Sequence, residues 1–172
     1  MDLEMTGLDP DRDRIIEIAT IITDYDLNII AEGPELAINQ PEEVFHTMDD
    51  WNQTHHTKSG LWEKCLKSTI SLAEAEKKTL DFIKEFCDEK TSPLCGNSIW
   101  QDRRFLAKHM REIEQWLHYR ILDVSTIKLV SSSWYEEKYV FGDKSGSHRA
   151  LDDIKESIEE LKFYRKNIFV ES

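Results

Sequence analysis

After Met1, the chain begins with the segment Asp2-Leu3-Glu4-Met5-Thr6-Gly7, in which acidic and apolar residues alternate before a turn. Alternation with a period of two is typical of a β-strand, because every second side chain lies on the same face. The segment therefore predicts a strand that carries Asp2 and Glu4 on one face and ends at Thr6-Gly7. Two carboxylates on one strand face repel each other, so this face is either solvated or neutralised by a bound cation.

The rest of the chain predicts further strands first and then helices that alternate with short strands. The predicted strands cover residues 1–5, 15–23, 27–30 resuming at 36–39, 94–97 and 121–124. The predicted helices cover 41–51, 72–88 with Ser71 as its N-cap, 102–109, a segment from 125, and a last helix whose apolar face spans 151–161; a loop over 142–147 precedes it. This order predicts an α/β fold in which helices cover a mixed sheet.

Length and charge narrow the function classes. The chain has 172 residues, which predicts a single domain over 1–172. Its 22 basic and 34 acidic residues give a net charge of −12, which argues against binding long nucleic acid by phosphate neutralisation. Three cysteines without paired spacing argue against a disulfide framework or a zinc site. The absence of a signal segment or a long apolar run predicts a cytoplasmic protein that does not enter a membrane.

Two further segments carry acids that resemble the first pair in chemistry. Asp102 falls at the start of a helix after a buried strand, where an acid is common because it complements the helix dipole. His148 precedes a helix whose first turn carries Asp152 and Asp153. At about 100° per residue, Asp152 shares a face with His148, while Asp153 lies nearer the apolar stripe. The helical geometry leaves the choice between these two acids open.

Together these segments supply four carboxylates and one histidine. Hard divalent cations prefer oxygen ligands, and two such ions about 4 Å apart stabilise the attacking and leaving oxygens of a phosphoryl displacement. A histidine with a pKa near neutral is suited to take the proton from the attacking water. The set is therefore compatible with a two-metal hydrolase, although each acid taken alone has an ordinary structural explanation.

The ordered set resembles the DEDDh branch of the DEDD exonuclease superfamily. Asp2-Leu3-Glu4 matches its first motif, Asp102 its second, and His148 with Asp153 its third, H-x4-D. The longer strings DLEMTGLDP, CGNSIWQDRRF and SHRALDDIKESI are similar to the oligoribonuclease family. This resemblance implies an RNase H-like fold with a mixed five-stranded sheet flanked by helices. It also implies a 3′-to-5′ exoribonuclease that degrades very short RNA, particularly dinucleotides, to 5′-mononucleotides.

The resemblance also implies a role for each acid. Asp2, Glu4 and Asp153 are expected to bind the divalent ion, Mg²⁺ or Mn²⁺, that holds the nucleophilic water. Asp2 and Asp102 are expected to serve a second ion, and His148 to act as the general base. In this pattern Asp153, rather than Asp152, is the ligand.

A substrate pocket and a partner subunit are implied in the same way. Leu8 and Trp51 are expected to contact the two bases, and His56, with His55 as its rival, to contact the 5′ phosphate. The remaining expected contacts are Ser98, Gln101, and Tyr119 and Arg120 from the second subunit of a homodimer. Without the resemblance, Trp51 also fits a core position and Arg120 a surface one. A capped pocket for RNA of two to five nucleotides needs few phosphate contacts, which is compatible with the acidic charge.

Three alternatives remain at this stage. The first is a DNA-directed or proofreading-type exonuclease on the same scaffold. The second is a chain inactivated at its first strand, because members of the family have several strand residues before the first aspartate and here only Met1 precedes Asp2. A central strand that starts at its catalytic residue loses half of its ladder partners, so the chain is truncated, its start is misassigned, or its first strand is frayed. The third is a non-catalytic module whose acids form a solvated face.

Overall fold

The computed structural model describes residues 1–136, 138–142 and 149–169. Its strands are β1 (Asp2–Met5), β2 (Ile15–Ala19), β3 (Ile21–Thr23), β4 (Ile29–Glu32), β5 (Leu36–Ala37), β6 (Pro93–Gly96) and β7 (His118–Asp123). Its helices are a 3₁₀ helix (Glu42–Thr47), α1 (Asp50–Lys58), α2 (Leu61–Lys67), α3 (Leu72–Phe86), α4 (Ile99–His109), α5 (Arg111–Trp116), α6 (Val124–Trp134) and α7 (Ala150–Ile168).

The strands form a mixed arrangement. β1 pairs antiparallel with β2, β2 with β5, and β3 with β4, whereas β6 and β7 pair parallel. The predicted strand over 15–23 is divided at Thr20 into β2 and β3, and its hairpin partner is divided into β4 and β5. The amino group of Met1 donates to the Cys95 carbonyl oxygen at 3.1 Å and so connects the start of β1 to β6.

β1 is formed from Asp2 onward, so the alternative in which the first strand is frayed at this residue is wrong. Asp2 pairs with Ala19, Leu3 with Ile18, and Glu4 with Glu17, and an irregularity in register follows Glu4. Antiparallel pairing along one side, together with the Met1–Cys95 hydrogen bond on the other, holds the strand in place.

Two apolar layers cover the sheet. Leu3 and Ile18 face a core built with α3, α4 and α5. On the opposite face, Ala19 packs against Ala150 and Ile154 of α7. All five residues of β2 are buried, since helices cover both faces of this strand. Asp2 and Glu4 alternate with Leu3 and therefore lie on the face that α7 covers.

The helix signals in the sequence have mixed outcomes. The predicted cap at Ser71 is confirmed as a capping box, in which its hydroxyl accepts from the Glu74 N–H and the Glu74 carboxylate accepts from the Ser71 N–H. The predicted helix over 41–51 is instead a 3₁₀ helix followed by α1. The short helices α2 and α5 were missed, because six or seven residues carry too little periodic signal.

Among the residues that the structure describes, no helix combines the length and the apolar character that crossing a bilayer requires. The longest, α7, carries charged residues along its whole length.

Candidate active site

Asp2 and Glu4 lie on the same face of β1, as the alternation predicts. Their neighbour Leu3 points into the core and is buried. The backbone N–H of Leu3 donates to Oδ1 of Asp102 at 2.9 Å, which connects the central strand to the first turn of α4. Asp102 is itself buried, so this hydrogen bond brings the third acid next to β1.

The first turn of α7 brings the fourth acid to this group. Asp153 offers a carboxylate oxygen that lies within 4.8 Å of the oxygens offered by Asp2 and Glu4. Asp152, the residue before it, is exposed on the outer side of the helix. The structure therefore distinguishes the two acids that the helical geometry left open, because α7 packs its apolar stripe, and Asp153 beside it, on the sheet.

The surroundings of these acids disfavour their ionised forms. Burial, followed by repulsion from Asp102, Glu4 and Asp153, raises the pKa of Asp2 well above its usual range. Burial, with repulsion from Asp153, raises the pKa of Glu4 to about 8. Burial also raises the pKa of Asp102 to about 7, against the opposing effect of the Leu3 hydrogen bond. The group is thus short of positive charge.

Such a group fits divalent metal ions. It offers carboxylate oxygens, the ligands that Mg²⁺ and Mn²⁺ prefer, in a spacing that allows Asp2, Glu4 and Asp153 to share one ion. A bound cation also removes the cause of the raised pKa values, since it compensates both repulsion and desolvation.

The two residues expected near the bases are accessible. Leu8 lies in the loop after β1 and is 73% exposed. Trp51 lies on α1, is 56% exposed, and stacks on His55 with 3.8 Å between ring centroids. The alternative in which Trp51 fills the core is therefore wrong.

The histidines of α1 differ in their surroundings. His56 is 1% exposed, and its Nε2 lies 2.9 Å from the Met5 carbonyl oxygen. Its Nδ1 lies 4.0 Å from Oε2 of Glu4. His55 instead holds its Nδ1 2.7 Å from the Trp51 carbonyl oxygen. His56 is therefore placed beside the carboxylates of β1, and His55 under Trp51.

Residues at the start of α4 hold the Leu8 loop. The side-chain amide of Gln101 donates to the Leu8 carbonyl oxygen at 2.6 Å, and Gln101 is buried. Ser98 precedes α4 with a left-handed backbone (φ 50°) and is exposed. Its N–H donates to Oδ1 of Asp123 at 3.0 Å. Gln101 thus contacts the backbone of the loop that carries Leu8, whereas Ser98 faces solvent.

Two predicted residues, Tyr119 and Arg120, lie on a different strand from this group. Tyr119 and Arg120 are exposed on β7, where the guanidinium of Arg120 lies 5.4 Å from the centre of the Tyr119 ring. Within this chain β7 pairs with β6, and both side chains are available to another molecule. His148 lies outside the described residues.

Sequence reasoning missed one ion pair next to the carboxylates. Glu17 of β2 is fully buried, and Arg149 at the start of α7 donates to both of its oxygens, at 3.2 and 2.6 Å. The signal was present, because a lone charge inside the apolar run 15–23 needs a partner once the strand is buried.

Comparison with known proteins gives the family. The Exonuclease family model (RNase_T) matches residues 1–161. The Oligoribonuclease of Azoarcus sp. (strain BH72) is 58% identical over 167 residues, which cover 97% of this chain and 92% of that protein. The chain belongs to the oligoribonuclease family of exonucleases. The Oligoribonuclease of Pseudomonas aeruginosa (strain PAO1) is 55% identical over 165 residues, covering 96% of this chain and 92% of that protein.

A solved structure supports the fold of this oligoribonuclease family member. It is a moderately thermophilic Exonuclease I from Methylocaldum szegediense, with a TM-score of 0.64 and 17% identity. The match covers 97% of this chain and 40% of that one. The predicted RNase H-like fold and the predicted assignment as an exonuclease are therefore confirmed.

Proposed function

We propose that the chain is a metal-dependent 3′-to-5′ exoribonuclease that hydrolyses very short RNA, above all dinucleotides, to 5′-mononucleotides. The observation that carries the proposal is the meeting of Asp2, Glu4 and Asp153 on one face, with Asp102 held beside them through Leu3. The preference for short RNA is supported by the name Oligoribonuclease that relatives more than half identical to this chain bear.

Two divalent ions, Mg²⁺ or Mn²⁺, fit the carboxylates. Asp2, Glu4 and Asp153 would hold one, and Asp2 and Asp102 the other. When bound, such ions supply the positive charge that stabilises a displacement at phosphorus. The raised pKa values of Asp2, Glu4 and Asp102 support this assignment, since buried acids without enough compensating charge are what an incoming cation stabilises.

A side chain of the protein takes the proton from the attacking water. We assign His148 as the general base, whose neutral imidazole takes a proton from water as the water oxygen attacks the phosphorus that links the last two nucleotides. The bond from phosphorus to the 3′ oxygen of the preceding nucleotide then breaks, and solvent protonates that oxygen. This releases one 5′-mononucleotide in each cycle.

Substrate length is set by contacts at both ends of the dinucleotide. Leu8 and Trp51 are proposed to contact the bases, which their exposure supports. Ser98, with Tyr119 and Arg120 of a second subunit, is proposed to contact the 5′ phosphate. Gln101 is proposed to act through the Leu8 loop that it holds.

The predicted contact of His56 with the 5′ phosphate stays a prediction. His56 is buried next to Glu4, so this geometry supports a contact with that acid and gives no support to its predicted contact with the 5′ phosphate. The homodimer and the cytoplasmic location likewise stay predictions.

The decisive test compares turnover of a 5′-phosphorylated RNA dinucleotide with that of a strand of about 20 nucleotides, in Mn²⁺ and in EDTA. Metal-dependent cleavage that strongly favours the dinucleotide supports the site and the pocket together. Equal turnover of both would exclude the capped pocket. A DNA dinucleotide of the same sequence is assayed alongside, and its turnover at the rate of the RNA dinucleotide would favour a DNA-directed exonuclease. His148→Ala is expected to keep Mn²⁺ binding and to lose roughly 10²- to 10⁴-fold in rate.

A further inference from the structure

A buried ion pair joins β2 to the start of α7, directly beside the carboxylate group. Glu17 has no exposed surface, and both of its oxygens accept from the Arg149 guanidinium. The backbone N–H of Ala150, the first residue of α7, donates to Oε2 of Glu17 at 3.2 Å. The Glu17 side chain therefore holds both the Arg149 side chain, which precedes α7, and the first backbone N–H of α7.

This ion pair lies one helical turn from Asp153. The carbonyl oxygen of Arg149 accepts from the Asp153 N–H at 3.0 Å, so the backbone of the two residues moves together. Ala150 and Ile154 pack on Ala19 and complete the attachment of this turn to the sheet. The contact between Arg149 and Glu17 and the position of Asp153 beside β1 thus belong to the same turn of α7.

Glu17 also holds the positive charge of Arg149 close to the site. Glu17 is the register partner of Glu4, so its side chain lies on the same sheet face as the site. The Nη2 group of Arg149 donates to Oε1 of Glu17 at 2.6 Å and to Oε1 of Glu35 at 2.5 Å. The charge of Arg149 also acts on Glu4, where it opposes the rise in the pKa of that acid.

We propose that Glu17 is a positioning residue of the nuclease site: through Arg149 and Ala150 it fixes the first turn of α7 and so holds Asp153 at the metal-binding distance. The inference rests on the proposed metal site. It extends that site to a residue that contacts neither the ions nor the RNA. Residues that orient metal ligands typically change metal affinity or activity by about 10- to 100-fold when they are replaced.

The test is Glu17→Gln in the full chain, with Mn²⁺ binding measured by calorimetry and with kcat and KM for the RNA dinucleotide. The glutamine side chain keeps the shape of glutamate, but only its oxygen accepts hydrogen bonds. It therefore cannot accept from the guanidinium at both terminal atoms. We expect Mn²⁺ affinity and kcat to fall about 10- to 100-fold. KM should be unchanged, and saturating Mn²⁺ should restore most of kcat, because Asp153 is still present. A role in stability alone would lower Tm and leave the Mn²⁺ affinity unchanged.

The matched control is Glu32→Gln. Glu32 of β4 pairs with Lys155 of the same helix at 3.0 Å, and both side chains are partly exposed. This variant breaks another contact between α7 and a strand, but away from the acids, so Mn²⁺ affinity and kcat should stay at the level of the original chain. An equal loss in both variants would overturn the positioning role of Glu17.

Two further results separate the possible failures. If Glu17→Gln does not fold, Glu17→Asp decides, since it keeps the charge but is one methylene too short to reach Arg149 and Ala150 together. Mn²⁺ affinity unchanged in Glu17→Asp would contradict the proposal. If the original chain binds Mn²⁺ but cleaves no RNA, the proposed function fails while the Mn²⁺ titrations still test Glu17.

Discussion

Glu4 and Glu17 face each other across the β1–β2 ladder, yet their surroundings are opposite. Glu17 is fully buried and is paired with Arg149 at both oxygens. Glu4 lies among Asp2, Asp153 and Glu17, and burial with the charge of Asp153 raises its pKa to about 8. The positive charge that opposes this rise in pKa is that of Arg149, and the imidazole Nδ1 of His56 lies 4.0 Å from Oε2 of Glu4.

The difference separates a structural acid from a functional one. A buried carboxylate that its own chain neutralises contributes to the fold, and losing one partner of such a pair is strongly destabilising. A buried carboxylate surrounded by other acids costs stability until a cation binds, so its presence indicates a metal site. The two glutamates are register partners, yet Glu17 stabilises the fold and Glu4 is suited to bind a metal ion.

The largest expected effect comes from neutralising each acid in turn. Glu4→Gln should reduce turnover by about 10³-fold, since it removes a ligand of the proposed ion, and it should raise the Tm of the metal-free protein because it relieves repulsion. Glu17→Gln should lower that Tm, because it leaves Arg149 without its buried partner. Thermal unfolding in EDTA measures both. If both variants shift Tm in the same direction, the distinction between the two glutamates is lost.

The next effect is the pH dependence of stability. The folded-state pKa values of Glu4 (about 8) and Asp102 (about 7) lie above their ordinary values of 4.5 and 3.8. Groups with raised pKa values stabilise the fold when protonated, so the metal-free protein should lose stability as the pH rises from about 4 to about 8.

This loss is checked by thermal unfolding in EDTA at about pH 6 and about pH 8. Mg²⁺ should remove most of the difference, because it binds the ionised acids and stabilises the fold at the higher pH. A Tm that rises with pH in EDTA, or a Mg²⁺ effect that is equal at both values, would contradict the electrostatic account of the site.

The smallest expected effect serves as a control within α7. Asp152→Asn should leave Mn²⁺ affinity and turnover unchanged, since Asp152 is exposed on the outer side of the helix. Asp153→Asn, one residue later, should lose both. A calorimetric Mn²⁺ titration of the two variants gives the comparison directly. A loss of affinity in Asp152→Asn as large as in Asp153→Asn would place the ion elsewhere on α7.

Local patterns predicted much of the fold. The alternation around Asp2 and Glu4 predicted β1, and the Ser71–Glu74 pair predicted the start of α3. The β-branched run predicted a buried strand but not its division at Thr20. Such a division depends on how neighbouring strands and helices meet, and a short sequence window does not contain that information.

The site was predicted unevenly for the same reason. A period of two predicted that Asp2 and Glu4 share a face, and the resemblance to exonucleases supplied Asp102, His148 and Asp153 as a set. Helical geometry alone did not choose between Asp152 and Asp153, because the choice depends on how α7 lies on the sheet. Gln101 was predicted as a substrate contact, yet the structure places it against the Leu8 backbone, a contact between residues 93 positions apart.

The sequence by itself determined the chemistry of this protein: its family, its acidic residues and the strand that carries the first two. Covalent spacing and local periodicity act over a few residues, so they are readable without a fold. The tertiary structure alone decided that Glu17 is paired with a guanidinium while Glu4 lies among other acids. Glu4 and Glu17 are the same type of residue, and their roles differ because α7 brings Arg149 to one and Asp153 to the other.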